Sequence, residues 1–485
     1  MANSIKKAFK NSSIYLAFSL AQKGAAFLLL PVYTAMLSPE EYGTVGTILA
    51  FVEVVIPFAS FSLSSAAMRM TYANKLQSNP REAWGTLLLG TIGISSFFCL
   101  IFLATIDQWS PFIFTGIPKA PFVLLGIVLV LVHSIFNMIQ AYWRAVQVPQ
   151  KVGVNNLLLF LLTVSLNLVF LFCLRMHGES LLWASVIAYV LATLQGLIGL
   201  KGRITLTFRW STFFAGVKYA FPIIPHLMLG WVLKASDRYL IFLFIGEQSV
   251  GLYLAVSQIA SMVGLVSTSI MQSFTPWYME GQSIESGNSQ KTNNFSIASL
   301  VLLSGIVIFL SLFSKELFQF VLHEKYNVAW IYLPGMAFAF LFQTAHAFFI
   351  TPVTVDNPGR ILISTLLAGP VSIALNLLLL PLLGLWAPVI ASIVSMATMS
   401  LVSMIQCHSF KRQIYPWFVM YGIILGAGAI SASNYLFSGE LLPVISIKLA
   451  ILIILATVAL LVLTRKNPEL AIQIAASLKK WKGQK

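Results

Sequence analysis

Residues 154–176 read VNNLLLFLLTVSLNLVFLFCLRM, and residues 180–200 read SLLWASVIAYVLATLQGLIGL. The first run carries one charge, Arg175, near its end, and the second carries none. A helix needs about 20 mostly apolar residues to cross a bilayer, so each run is long enough to span one. His177-Gly178-Glu179 joins them, too short a link for anything but a turn. The pair reads as a membrane hairpin.

The same reading extends along the chain. It gives fourteen spans near 12–37, 44–68, 84–106, 119–143, 154–176, 180–200, 213–245, 250–273, 293–314, 328–350, 360–381, 385–409, 416–437 and 442–464. The seventh is long enough to be broken. The expected fold class is therefore an all-α integral membrane protein of about fourteen transmembrane helices. Composition agrees: of 485 residues, 58% are apolar and 9% charged, against about 25% charged in soluble proteins. Mean hydropathy is +0.87. A cytosolic enzyme, a secreted disulfide scaffold and a disordered chain are excluded. The first span is too long for a signal-peptide core and has no convincing cleavage site. Cys99, Cys173 and Cys407 lie in apolar runs and read as small buried hydrophobes.

The net charge of +15 has a membrane explanation, with no nucleic-acid partner implied. Basic residues collect in cytoplasmic loops. With the N-terminus inside, inner loops and tails hold 21 Lys and Arg and outer loops hold 4: Lys119, Arg175, Lys315 and Lys325. That split fits an even number of spans with both termini cytoplasmic. In the tail, Asn467-Pro468-Glu469 reads as a helix start. Leu470, Ile474, Leu478 and Trp481 then make one apolar face, with lysines at the end, as for a helix lying on the inner, anionic leaflet.

A shift of 208 residues lays the first six spans on spans seven to twelve. Ser38-Pro39-Glu40-Glu41-Tyr42-Gly43 then meets Gly246-Glu247-Gln248-Ser249-Val250-Gly251, and one residue off register Leu166-Asn167-Leu168 meets Leu375-Asn376-Leu377. Six is even, so the repeat is parallel, a known transporter plan. The expected organisation is an N-terminal six-helix lobe at 1–205, a second at 206–412, two added helices at 413–464 and a basic amphipathic tail at 465–485.

A charge at the bilayer centre costs about 2.5–3.5 kcal/mol on insertion scales. Embedded charges thus face a cavity, a partner or the interface. They are Lys23, Glu53, Lys218, Lys234, Asp237, Arg238 and Lys448. Tyr15, Ser19 and Lys23 share a face of span one, with Gln22 beside it. Glu53, Pro57, Ser60 and Ser64 share a face of span two; His226 and Asp237 share one in span seven. Ser257, Ser261, Gly264, Thr268 and Gln272 stripe span eight. Matching helices of the two halves carry these stripes, as a hydrated cavity between two lobes requires. Helix packing also uses serine and glycine, Lys218 and Lys448 can snorkel, and Asp237 with Arg238 reads equally as an ion pair. With Lys448 set aside, bases exceed acids, and a positive cavity suits an anion such as phosphate. Pro222 and Pro225 mark a bend, either a hinge or a static kink. His133, Asn137 and Gln140 share a face of span four and, with His346 in span ten, read as helix–helix hydrogen bonding. No Walker loop, GxSxG or HExxH occurs, and no cofactor or metal is expected.

Pro31-Val32-Tyr33-Thr34 running into Leu37-Ser38-Pro39-Glu40-Glu41-Tyr42-Gly43 resembles the first-turn signature of Wzx-type polysaccharide flippases. The stretch from Phe221-Pro222 through Ser236-Asp237-Arg238-Tyr239 to Gly251-Leu252-Tyr253 is similar to the same family, as is Leu375-Asn376-Leu377-Leu378 to Gly384-Leu385-Trp386-Ala387. The resemblance implies the multidrug/oligosaccharidyl-lipid/polysaccharide superfamily, two six-helix lobes in a V. It implies movement of polyprenyl-diphosphate-linked oligosaccharide from the inner to the outer leaflet of the bacterial inner membrane, with membrane lipids and polysaccharide polymerase or export machinery as partners. Lys23, Lys218, Lys234 and Arg238 would hold the diphosphate, and Glu53, Asp237 or His226 a coupling proton. Family cavities often use arginine where lysines predominate here, and the two added spans resemble the lipid II flippase arrangement. An ion-coupled drug exporter of the same superfamily and a membrane glycan polymerase are the competing readings.

Overall fold

The computed structural model describes residues 29–72, 79–146, 148–221, 224, 236–281, 288–356, 360–409 and 415–436. All regular structure among them is helical. Eleven described helical segments are long and apolar enough to cross a membrane. They match expected spans two to six and eight to thirteen. Spans one, seven and fourteen lie wholly or partly outside the described residues, as does the tail helix.

The first described span shows how local chemistry sets a boundary. Helix α1, Pro39–Ala59, opens with a capping box: Ser38 Oγ accepts from Glu41 N at 3.1 Å, and Glu41 Oε2 accepts from Ser38 N at 2.8 Å. Pro39 at the first position loses no helical hydrogen bond. Span two was expected to run on unbroken, but α1 stops at Ala59 and α2 resumes at Leu63–Tyr72. Pro57 removes a donor, and Phe61 and Ser62 sit at φ 46° and 49°. Ser60 Oγ donates to Ile56 O at 2.8 Å, and Ser62 Oγ to Pro57 O at 3.2 Å. The hydroxyls meet carbonyls at the break.

The succession continues with α3 Pro80–Ala104, α4 Ile106–Ile113, α5 Leu124–Ala145, α6 Pro149–Leu168, α7 Glu179–Leu200 and α8 Trp210–Ala220. It ends with α9 Glu247–Gly281, α10 Asn288–Leu312, α11 Ser314–Val321, α12 Leu333–Asp356, α13 Ile361–Leu383, α14 Trp386–Ser409 and α15 Trp417–Ala432. The chain divides into two compact units, residues 1–258 with 368–391, and residues 259–367 with 392–485.

In the first unit, Leu63, Ala66, Trp84, Leu87, Met138, Tyr142, Trp143 and Leu200 form a buried core. A strap at 201–209 leaves α7 through Gly202, at φ 74°, and fastens to the start of α3. Thr205 N donates to Arg81 O at 3.0 Å, and Thr86 Oγ1 to Thr207 O at 2.8 Å. A Cβ on Gly85 would fall on the Thr205 carbonyl. Arg209 and Glu82 add an ion pair at 2.6 Å. Arg209 is exposed while Glu82 is half-buried, and surface pairs are worth about 1 kcal/mol or less, so Arg209→Gln should lower the melting temperature only slightly. Gly85→Leu, which displaces the strap, should lower it by several degrees.

In the second unit, polar pairs stitch helices together. Ser267 and Thr344 meet at 2.8 Å, Ser400 and Tyr421 at 2.8 Å, and Asn434 Nδ2 donates to Ser314 Oγ at 3.1 Å. His346 Nδ1 lies 2.7 Å from Ser403 Oγ, the helix–helix bond read from the sequence.

Candidate functional site

The turn that opens α1 and the one that opens α9 meet within the first unit. Gly43 lies so close to the other backbone that a Cβ would land on the carbonyl oxygen of Glu247. A Cβ on Gly251 would land on the carbonyl oxygen of Pro39. These are the same two positions under the 208-residue shift, so each element offers a glycine to the other's carbonyl. Thr44 Oγ1 adds a hydrogen bond to Glu247 Oε2 at 2.9 Å, and Glu41 Oε1 holds His177 Nδ1 at 3.0 Å.

Asp237 is buried at 6% exposure, in the helical stretch 236–245. Tyr253 Oη of α9 donates to its Oδ2 at 2.8 Å, and Asn376 Nδ2 of α13 donates to its Oδ1 at 2.8 Å. Both carboxylate oxygens thus have neutral donors, which spread the charge without cancelling it. Arg238, half-buried, is a third influence and acts electrostatically on Asp237 and on Tyr42. Asn376 also reaches Ser372 O at 3.0 Å. Its counterpart Asn167 donates to Tyr33 Oη at 2.9 Å. Both asparagines are buried and meet an earlier helix, and only the Asn376 pairing includes an acid.

The structure brings Asp237 and Arg238 together, as adjacent residues must be, and adds Tyr253 and Asn376. Sequence reading missed those two as site residues, though an asparagine inside the apolar run 375–383 was the available signal. Lys218 is exposed on α8, as a snorkelling lysine would be. Glu53 is exposed on α1 and lies within electrostatic range of Tyr189. Ser257 returns its hydroxyl to Leu254 O at 2.9 Å, and Ser261 is exposed. Gly264, in the same sequence stripe, is buried against the Phe340 ring and serves packing. Tyr15, Ser19, Gln22, Lys23, Pro222, Pro225, His226, Lys234 and Lys448 lie outside the described residues.

Comparison with solved structures defines the class. The lipid II flippase MurJ in an inward closed conformation aligns with TM-score 0.65 and 14% identity, over 95% of this chain and 98% of that one. An inward-facing multidrug resistance MATE family transporter of the MOP superfamily aligns with TM-score 0.59 and 13% identity, over 85% and 98%. A MOP superfamily transporter from Pyrococcus furiosus, described as having a binding pocket of reverse polarity, aligns with TM-score 0.55 and 16% identity, over 84% and 97%. At these identities the likeness is one of fold, and the protein is a multi-pass membrane protein with the MurJ/MATE fold. The family described as polysaccharide biosynthesis protein matches residues 8–282, more than half of the 485, and the chain belongs to it. No curated protein matches the sequence.

Proposed function

We propose that the protein is a flippase that carries a polyprenyl-diphosphate-linked oligosaccharide from the inner to the outer leaflet by alternating access. Its place is the bacterial inner membrane, with both termini cytoplasmic and a role in cell-surface polysaccharide export. The observation that carries this reading is membership of the polysaccharide biosynthesis family. The cationic set Lys23, Lys218, Lys234 and Arg238 supports it, because a diphosphate asks for fixed positive charge. The polyprenyl chain stays in lipid, and the glycan crosses in water. Asp237, whose oxygens are both held, is a candidate to carry the coupling ion, with Glu53 and His226. Polysaccharide polymerase or export machinery would take the product.

The test is the sidedness of the glycolipid. Cells depleted of the protein should trap lipid-linked oligosaccharide where an impermeant outer-face probe does not reach it. Unchanged sidedness in cells, and again in vesicles holding only this protein, would overturn the reading. A charged hydrogen bond is worth about 1.5–3 kcal/mol, so Arg238→Gln should slow flipping roughly tenfold or more while the protein stays in the membrane. The MATE likeness keeps an ion-coupled drug exporter as the second reading. Changed drug susceptibility with unchanged glycolipid sidedness would favour it.

A further inference from the structure

Two short helices occupy equivalent places in the two halves of the chain. Helix α4, Ile106–Ile113, follows span α3 after one residue, Thr105. Helix α11, Ser314–Val321, follows span α10 after one residue, Phe313. Each of these boundaries falls on its counterpart under the 208-residue shift. The joining residues also share a conformation, φ −107° and ψ 13° at Thr105 and φ −100° and ψ 16° at Phe313. Each donates its N–H back into the span, to Ile101 O at 2.9 Å and to Phe309 O at 3.0 Å. Each carbonyl accepts from the short helix, from Trp109 N at 3.4 Å and from Leu317 N at 2.8 Å. Both backbone groups of each joining residue are thus satisfied, and each short helix leaves its span at the same bend.

The side chains repeat the plan. One face of each helix fastens to its own unit. On α4, Trp109 stacks on Phe51 at 5.5 Å, and its Nε1 donates to Phe102 O at 3.0 Å. On α11, Phe318 is buried, and Ser314 Oγ accepts from Asn434 Nδ2 at 3.1 Å. The second residue of each helix is an exposed charge, Asp107 or Lys315, and the seventh an exposed phenylalanine, Phe112 or Phe320. Five residues carry the chain about 140° past a full turn, so charge and ring lie on opposite flanks of the outward face. Among the described residues, Phe112 at 82% and Phe320 at 79% are the two most exposed large apolar side chains.

What covers the rings follows from where the helices start. Each begins one residue beyond a span, and so at the membrane boundary. The span before α4 exposes Phe97, Leu100 and Ile101 in its last turns, and the span before α11 exposes Leu302 and Phe309. Such apolar surface belongs against lipid. On the flank opposite Phe112, Asp107 forms an exposed ion pair with Lys119, which belongs in water. A ring on one flank and a charge on the other is the pattern of a helix lying in the headgroup boundary. We propose that α4 and α11 are matched interfacial pegs that bind the bilayer surface. Phe112 and Phe320 sit among acyl chains beneath the lipid headgroups, and Asp107 and Lys315 face water. In the proposed orientation both helices follow outward-running spans, so the leaflet is the outer one. Each unit thus has its own hold on that leaflet.

The inference goes beyond the transport reading, and its test needs no substrate. Phe112→Cys, Phe320→Cys, Asp107→Cys and Lys315→Cys are made singly together with Cys173→Ser, which removes the exposed thiol; Cys99 and Cys407 are buried. All four positions are exposed, so the variants should melt as their parent does. Each full-length protein is spin-labelled and placed in vesicles of phosphatidylcholine and phosphatidylglycerol. Collision with oxygen, which concentrates among acyl chains, is compared with collision with a water-soluble nickel chelate. The oxygen-to-nickel ratio should be higher by about threefold or more at 112 and 320 than at 107 and 315. Equal ratios at all four positions, or a preference for nickel at 112 and 320, would place the rings in water and overturn the pegs. Low collision with both reagents at 112 and 320 would mean that protein covers the rings, a second copy of the chain included, and would overturn them equally. Because no glycolipid enters the measurement, the pegs stand or fall apart from the flippase reading.

Discussion

Gly43→Ala and Gly251→Ala are each expected to destabilise the protein by about 3 kcal/mol or more. The reason is the backbone crossing of α1 and α9. Each added methyl would fall on a carbonyl oxygen, Glu247's in one case and Pro39's in the other. A flexible side chain could swing aside, but a peptide carbonyl in the first turn of a helix takes the whole element with it. The Thr44–Glu247 hydrogen bond at 2.9 Å would be lost in the same movement. Gly305→Ala is the control. It lies within α10 with nothing within 4 Å of its Cβ position, so alanine should be neutral or add the usual helix gain of just under about 1 kcal/mol. Melting of the detergent-solubilised variants checks all three. Equal melting temperatures for Gly43→Ala and Gly305→Ala would show that the crossing yields freely.

The second large effect is expected at Asp237. Asp237→Leu removes the carboxylate that accepts from the Tyr253 hydroxyl and the Asn376 amide in a buried site, and leaves Asn376 Nδ2 its bond to Ser372 O. A hydrogen bond to a charged group is worth about 1.5–3 kcal/mol, and loss of the two should lower stability by about 2–5 kcal/mol. Asp237→Asn keeps the volume and still offers Tyr253 a carbonyl oxygen, so it should fold. It removes the charge, and with it any ion that the carboxylate carries during transport. The expected result is a melting temperature close to the wild type for Asp237→Asn with glycolipid sidedness impaired at least tenfold. Full transport by Asp237→Asn would remove Asp237 from the coupling role and leave it a structural group. Asn376→Leu separates the two contributions, because it spares the charge and strips one of its donors.

What could be read in the chain followed from periodicity and length. Runs such as 154–176 and 180–200 announce spans because lipid demands about twenty apolar residues and little else. The break at 60–62 was not legible, because Phe61 and Ser62 take a left-handed backbone without a glycine to signal it. Pro57 was instead placed on a polar face with Glu53. Asp237 read equally well as a partner for Arg238. Its actual donors, Tyr253 and Asn376, lie 16 and 139 residues away, and only the folded chain brings them together. Gly264 follows the packing alternative: its stripe of small polar residues read either as a wet face or as helix packing, and Phe340 covers it.

The reciprocal glycine contact has a further consequence. When position i of one element meets j of another, and the counterpart of j meets the counterpart of i, the contact has the form of an isologous interface. Here that interface is written twice into one polypeptide. A break in the exposed turn at Gly202 would leave two fragments, each with one glycine and the carbonyl that the other's glycine needs. Neither glycine is replaceable alone, because each is matched to a main-chain atom rather than to a side chain that could co-vary with it. Positions 43 and 251 are thus bound to a shared spelling, however far the residues around them differ.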